Sequence, residues 1–292
     1  PLNLGIVLVG YCLVKLHNIT TENDNFLLLL LGFSLSLCFA SKYQGFLIGF
    51  GSLIVLYYSP KKLSFLKNPI FYLCILLALS GLLPTLIWNY KNEWISFQFH
   101  GSRQGFTPNL SNFAIMLFAS FLYLLPQTVL LPINNLLVVI KNKDFKLSIL
   151  TPERILTLLA LPNIIIFAFV YITSNKTFPH WIMPGWLLLL PLVAKSLSVY
   201  YSRVKNIAFY SSIIFIWSFL GIIIFHSQTG MLTNYQTRIP AWDNTLELIH
   251  WSPIKQPVEN IIKNLEANNI QLAAFTWTEA SQFSIAMGKN IK

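Results

Sequence analysis

Residues 69–106, PIFYLCILLALSGLLPTLIWNYKNEWISFQFHGSRQGF, decide how the chain is read. Residues 69–88 are an apolar run without a charge, and a helix needs about 20 such residues to cross the hydrocarbon core of a bilayer. The sequence then turns polar, aromatic and basic. Trp88, Asn89, Trp94, Phe97, Gln98, His100 and Arg103 crowd into the stretch 84–106. A spanning helix that delivers its end into such a cluster reads as a loop at a membrane face, handling a substrate held at the lipid boundary.

Composition carries the membrane reading to the whole chain. Of 292 residues, 55 % are hydrophobic and only 10 % charged, against roughly 25 % charged in soluble domains. The mean hydropathy is +0.60. So little polar surface cannot cover a water-soluble particle. The apolar runs are continuous, whereas barrel strands alternate and are about 10 residues long. The fold class is therefore an all-α integral membrane protein. About eight spans are expected, near 2–17, 26–41, 44–58, 69–88, 112–138, 154–173, 182–200 and 207–225. Pro126 and Pro132 lead us to expect a tilt or break in the fifth.

The formal charge of +10 would suggest nucleic acid on a soluble protein. Here the bases lie between apolar runs, so topology and anionic membrane lipid are the better account, and no nucleic-acid partner is expected. Cys12, Cys38 and Cys74 sit inside apolar runs and read as small core residues. One set of alternate loops holds Lys61, Lys62, Lys67, Lys141, Lys143, Lys146, Arg154, Lys195, Arg203 and Lys205. The other short loops hold Lys42, Lys91, Arg103 and Lys176. The positive-inside rule then puts the first set in the cytoplasm and the 84–106 stretch, the Lys42 turn and the 173–181 turn outside. The acidic 18–25 loop, with Glu22 and Asp24, falls on the cytoplasmic side, and acids count little in the rule.

The expected domains are a multi-span portion, 1–225, and an outward-facing segment, 226–292. The latter is polar, with helical spacing at 257–268 (PVENIIKNLEAN) and 278–287 and a buried strand at 270–275 (IQLAAF). It reads as the start of a small α/β unit. The first residue is Pro1 and the chain stops soon after this unit opens, so a piece of a longer protein is expected.

Three outward elements carry candidate chemistry. Lys42 and Tyr43 form a tight connection between the second and third spans. A lysine there either snorkels to the interface or meets a phosphate as a point charge. The Trp88–Asn89, Trp94 and Phe97–Gln98 set is either an interfacial aromatic belt or a sugar site, pairing ring faces with amide donors. Arg103 either anchors at headgroups or holds a phosphate with its fork. His180–Trp181, at the entrance of the seventh span, offers an acid, a base or a phosphate donor, or is merely interfacial. No metal cluster shows in the spacing, and a divalent metal is not indicated. Glu93 is the single carboxylate of the short outward loops, a poor general base on its own.

Four stretches carry a resemblance: SLSLCFASKYQGFLI (34–48), GLLPTLIWNYKNEWISFQ (81–98), PHWIMPGWLLLLPL (179–192), and PAWDNTL (240–246) with AAFTWTEASQFSIA (273–286). They resemble motifs of the GT-C-fold glycosyltransferases that use polyprenyl-phosphate sugars, in particular bacterial relatives of protein O-mannosyltransferases and of the 4-amino-4-deoxy-L-arabinose transferase that modifies lipid A. The resemblance implies inverting sugar transfer at the outer face of a bacterial inner membrane. The donor would be a lipid-linked sugar and the acceptor a lipid, a glycan or a protein. It implies no certain cofactor. It places Lys42 and Arg103 near the donor phosphate and His180 near the catalytic cavity. Tyr43, Trp88, Asn89, Trp94, Phe97, Gln98 and Trp181 would hold the carrier and substrate. The family's catalytic carboxylate sits in an outward loop that would lie upstream of residue 1, so this chain alone is expected to be inactive. The competing readings are a transporter or flippase of lipid-linked saccharides and a membrane-anchored binding module. The first would call for ionisable groups or broken helices near the bilayer midplane, and the span interiors lack charges.

Overall fold

The computed structural model describes residues 1–18, 24–102, 108, 110–123, 150–173, 179–199, 203–229, 254–264, 272–274 and 277–288. The chain divides into two compact units, Pro1–Ser212 and Ile213–Lys292.

In the first unit, α1 (Leu2–Asn18), α2 (Asp24–Ser41) and α3 (Gly45–Tyr58) are followed by a short α4 (Lys62–Lys67). Then come α5 (Pro69–Ser80), α6 (Leu83–Lys91), α7 (Ile95–Ser102), α8 (Leu110–Tyr123) and α9 (Pro152–Thr173). A 3₁₀ turn at Pro179–Ile182 leads into α10 (Met183–Val199), and α11 (Arg203–Thr229) runs across the boundary between the units. Among the described residues of the second unit, α12 (Lys255–Asn264) and α13 (Trp277–Met287) are the remaining helices.

Local sequence explains the helix ends. Asn68 caps α5 by accepting from the Ile70 amide at 2.9 Å, with Pro69 at the first helical position, where its missing N–H costs nothing. The apolar run expected as one span over 69–88 is interrupted at Gly81–Leu82. Pro84 has no amide to donate and its ring clashes with the carbonyl four residues earlier, so the α-helical bonding lapses for one turn; Gly81 and Leu82 keep right-handed helical angles, and Pro69–Lys91 remains one apolar stretch.

Packing in the first unit centres on α1, α2, α3, α5, α9 and α10, with α2 against α1 and α5, and α9 against α3 and α10. Ile6, Leu13, Leu28, Ile48, Ile155 and Leu159 are buried in the shared core. Small residues let backbones approach, as is common where helices associate in lipid. A Cβ on Gly51 would lie 2.7 Å from the Leu159 carbonyl oxygen. Gly81 meets the Ser36 backbone in the same way, which pins the α5–α6 break against α2. Cys12, Cys38 and Cys74 are buried free thiols, as small core residues should be.

The outside of the helices is apolar. Leu76 of α5 is 64 % exposed and Trp217 of α11 70 %. Patches on this scale do not survive in water. Four stretches, Asp24–Ser41, Pro69–Lys91, Pro152–Thr173 and Phe209–Ser227, are long and apolar enough to cross a membrane, and Leu2–His17, Gly45–Tyr58 and Leu110–Ser120 are shorter apolar helices. Together they mark a helical membrane protein. Residues 124–138 of the fifth expected span lie outside the described residues.

The tail departs from expectation in one respect. Helices stand near both places read as helical, but residues 272–274, inside the segment read as a strand, are irregular. No strand occurs among the described residues, so the α/β reading finds no sheet there. An apolar run forms a strand only where another strand satisfies its backbone groups.

Candidate functional site

A cavity of about 1050 Å³ opens within the first unit, at the end of the helices where α2 meets α3. Its wall begins at the α2–α3 turn. Ser41 closes α2 by donating to the Leu37 carbonyl at 2.5 Å, and the Gly45 amide donates back to the Lys42 carbonyl at 2.9 Å. Gly45 abuts the Cys38 backbone, too closely for any side chain. Only residues 42–44 are therefore left outside the helices, and they present Lys42, Tyr43 and Gln44 to the cavity.

The opposite wall is the α6–α7 corner. Glu93 and Trp94 both adopt left-handed backbone angles, with φ of 53° and 59°. For residues other than glycine this costs on the order of 1–3 kcal/mol each. The corner is held by Asn89, whose carbonyl accepts from the Trp94 amide at 2.8 Å. Gln98 donates to the Glu93 carbonyl at 2.9 Å, closing the same corner. The sharp reversal folds α7 back onto α6.

That fold-back builds a polar knot. Ser96 donates to the Asn89 side-chain oxygen, and its hydroxyl lies 2.6 Å from that of Tyr43. The Asn89 amide nitrogen donates to the Thr85 carbonyl at 2.9 Å and to the Tyr43 hydroxyl at 3.3 Å. Asn89 is 1 % exposed, so its amide works inside the wall and not toward a ligand. Around the knot, the Tyr43 and Phe97 rings lie 5.4 Å apart and Trp94 stacks obliquely on Phe97 at 5.8 Å.

The third wall comes from α9 and the 3₁₀ turn. The Gly185 amide, one of the donors left over at the start of α10, is accepted by Asn163 of α9 at 3.0 Å. This bond fixes the turn that carries His180 and Trp181. Trp181 lines the cavity 5.8 Å from Phe167. His180 lies at the Lys42 side. Surrounding protein lowers its pKa below 6.5, and the nearby Lys42 ammonium lowers it further, although the ring keeps an exposed face. Near pH 7 the imidazole is neutral, with one nitrogen able to donate and the other to accept.

Of the residues singled out from sequence, Lys42, Tyr43, Trp88, Asn89, Phe97 and Trp181 line one cavity. His180 neighbours it through Lys42, and Trp94 backs Phe97. Gln98 is turned onto its own corner. Arg103 lies outside the described residues. Sequence reasoning missed Ser96, which ties the two main walls together. Its signal was a hydroxyl seven residues after Asn89, on the far side of a turn. Among the described residues, no three His, Cys, Asp or Glu side chains gather as metal ligands.

Among the described residues, one cation, neutral hydrogen-bonding groups and broad ring faces line an otherwise apolar cavity, which suits an amphiphile with a phosphate and a polar headgroup. A membrane protein with such a site at one end of its helices is the class defined so far. Residues 1–88 match the family described as dolichyl-phosphate-mannose-protein mannosyltransferase. The match runs from α1 into α6 and includes Lys42, Tyr43 and Trp88. Neither a curated protein nor a solved structure matches the chain.

Proposed function

We propose that the chain is part of a membrane glycosyltransferase that moves a sugar from a polyprenyl-phosphate donor to an acceptor hydroxyl or amine. The carrying observation is that Lys42, with His180 beside it, shares one cavity with Trp88, Phe97 and Trp181, and that Lys42 and Trp88 fall within the match to a sugar-transferring family. That family's description names a lipid-phosphate mannose as donor and protein as acceptor. For this chain, the acceptor is a lipid, a glycan or a protein.

The chemistry asks for few groups. The acceptor attacks the anomeric carbon, the bond from that carbon to the phosphate oxygen breaks, and the carrier phosphate leaves with the electron pair. Charge grows on the phosphate as the bond breaks, and a fixed cation lowers that barrier. Lys42, with Arg103, holds the phosphate. Trp88, Phe97 and Trp181 offer faces to the sugar and the isoprenoid, while Tyr43 and Asn89 keep the wall in place. On the family likeness, a carboxylate takes the acceptor's proton. We further propose about eight membrane-spanning helices over 1–225, and this cavity and the 226–292 segment at the outer face of a bacterial inner membrane.

The test is transfer of labelled sugar from a polyprenyl-phosphate donor in membranes carrying the complete polypeptide. Replacing both Lys42 and Arg103 with Ala should abolish it. Transfer at the parental rate in the double variant would overturn the assignment.

A further inference from the structure

At the far end of α3 from the Lys42 turn, roughly 20 Å away at 1.5 Å per residue, a second cavity of about 660 Å³ lies between α3, α4 and α5. The chain leaves α3 through Tyr57 and Tyr58, forms α4 and re-enters at Pro69. Phe65 and Phe71 are buried, and their rings stack 6.2 Å apart in the wall of this groove. Tyr57 on one side is 68 % exposed and Leu66 on the other 51 %, so the groove opens where a bilayer surrounds the protein. Lys62 lines it as well, with its ammonium 5.3 Å from the centroid of the Tyr57 ring. Lys62 and Leu66 are one helical turn apart, on one face of α4.

The local charge balance is one-sided. Between Asp24 and Glu93 the sequence contains no carboxylate. Lys61 donates to the Leu16 carbonyl at 2.9 Å and so belongs to the end of α1. Asp24 stands at this same end, since its neighbour Asn25 accepts from Asn68 at 2.7 Å, beside Lys67. Lys62 is the lysine that faces the groove, and it has no carboxylate partner among the described residues. An apolar trough crowned by a cation is complementary to an acyl chain ending in a phosphate.

We infer that this groove binds an anionic glycerophospholipid, with one acyl chain against Phe65, Leu66 and Phe71 and the headgroup phosphate at Lys62. The inference stands apart from sugar transfer and requires only that the protein is embedded in a bilayer.

The test is native mass spectrometry of the detergent-purified chain with equal amounts of dioleoylphosphatidylglycerol and dioleoylphosphatidylcholine. Phosphatidylglycerol should be retained about tenfold over phosphatidylcholine, a difference within the range of one charge-assisted contact. Lys62→Ala should remove most of that preference while the variant still retains phosphatidylcholine through the acyl-chain groove, which also shows that the variant is folded. Lys62→Arg should keep the preference. Equal retention of the two lipids by the parent, or undiminished preference in Lys62→Ala, would overturn the site. So would binding of glycerol 3-phosphate without acyl chains, or displacement of phosphatidylglycerol from the Lys62 site by a polyprenyl phosphate.

Discussion

The hydroxyls of Tyr43 and Ser96 lie 2.6 Å apart, although 53 residues of chain separate them. Both meet at the buried side chain of Asn89. The contact joins the turn that presents the cation to the corner that presents Trp94 and Phe97, so one side-chain triangle sets the width of the cavity.

Breaking the triangle should loosen the site. Asn89→Leu removes the groups that Ser96 and Tyr43 bond, and an unsatisfied buried polar group costs about 1–3 kcal/mol. Thermal unfolding in detergent should shift down by several degrees, and Ser96→Ala should shift it less. Donor affinity should fall in both. Unchanged unfolding in Asn89→Leu would show that the triangle contributes nothing.

The pH dependence follows from His180. Its pKa lies below 6.5 in the folded chain, because burial and then Lys42 disfavour the imidazolium. The unfolded state therefore binds more protons, and this group's contribution to stability is lost as pH falls below the unfolded value of about 6.5. Lys42→Ala should raise the His180 pKa only part of the way back, since burial is the larger cause. Titration of the ring resonance by NMR checks this. A pKa that stays fixed or falls in Lys42→Ala would separate the two residues.

Close packing at Gly51 should tolerate no side chain. Its missing Cβ would stand 2.7 Å from a backbone oxygen of α9, and overpacking costs about 1–3 kcal/mol. Gly51→Val should lower the unfolding temperature clearly, whereas Gly221→Val, with open space around its missing Cβ, should leave it nearly unchanged. Equal effects would argue against the α3–α9 contact.

The helical membrane architecture was legible in the apolar runs because length and lack of charge are composition-level signals. So was the gathering of Lys42, Trp88 and Trp181, since alternate loops of a bundle emerge at one end. What was not legible depends on tertiary bonds. Nothing local announces that Glu93 and Trp94 take left-handed angles, because neither is glycine and the bond from Trp94 to Asn89 enforces them. Asn89 read as a ligand-facing amide, but its partners come from three separate places in the chain. The strand expected at 270–275 rested on apolar character alone, which cannot report whether a partner strand exists.

The central claim is that Lys42 holds a lipid-linked donor phosphate in this cavity. It is tested most directly by equilibrium binding of a polyprenyl-phosphate sugar to the purified 292-residue chain in nanodiscs. Loss of a charge-assisted contact of about 1.5–3 kcal/mol predicts that Lys42→Ala weakens binding about ten- to a hundredfold, with Lys42→Arg close to the parent and Lys62→Ala unaffected. Parental affinity in Lys42→Ala would contradict the account.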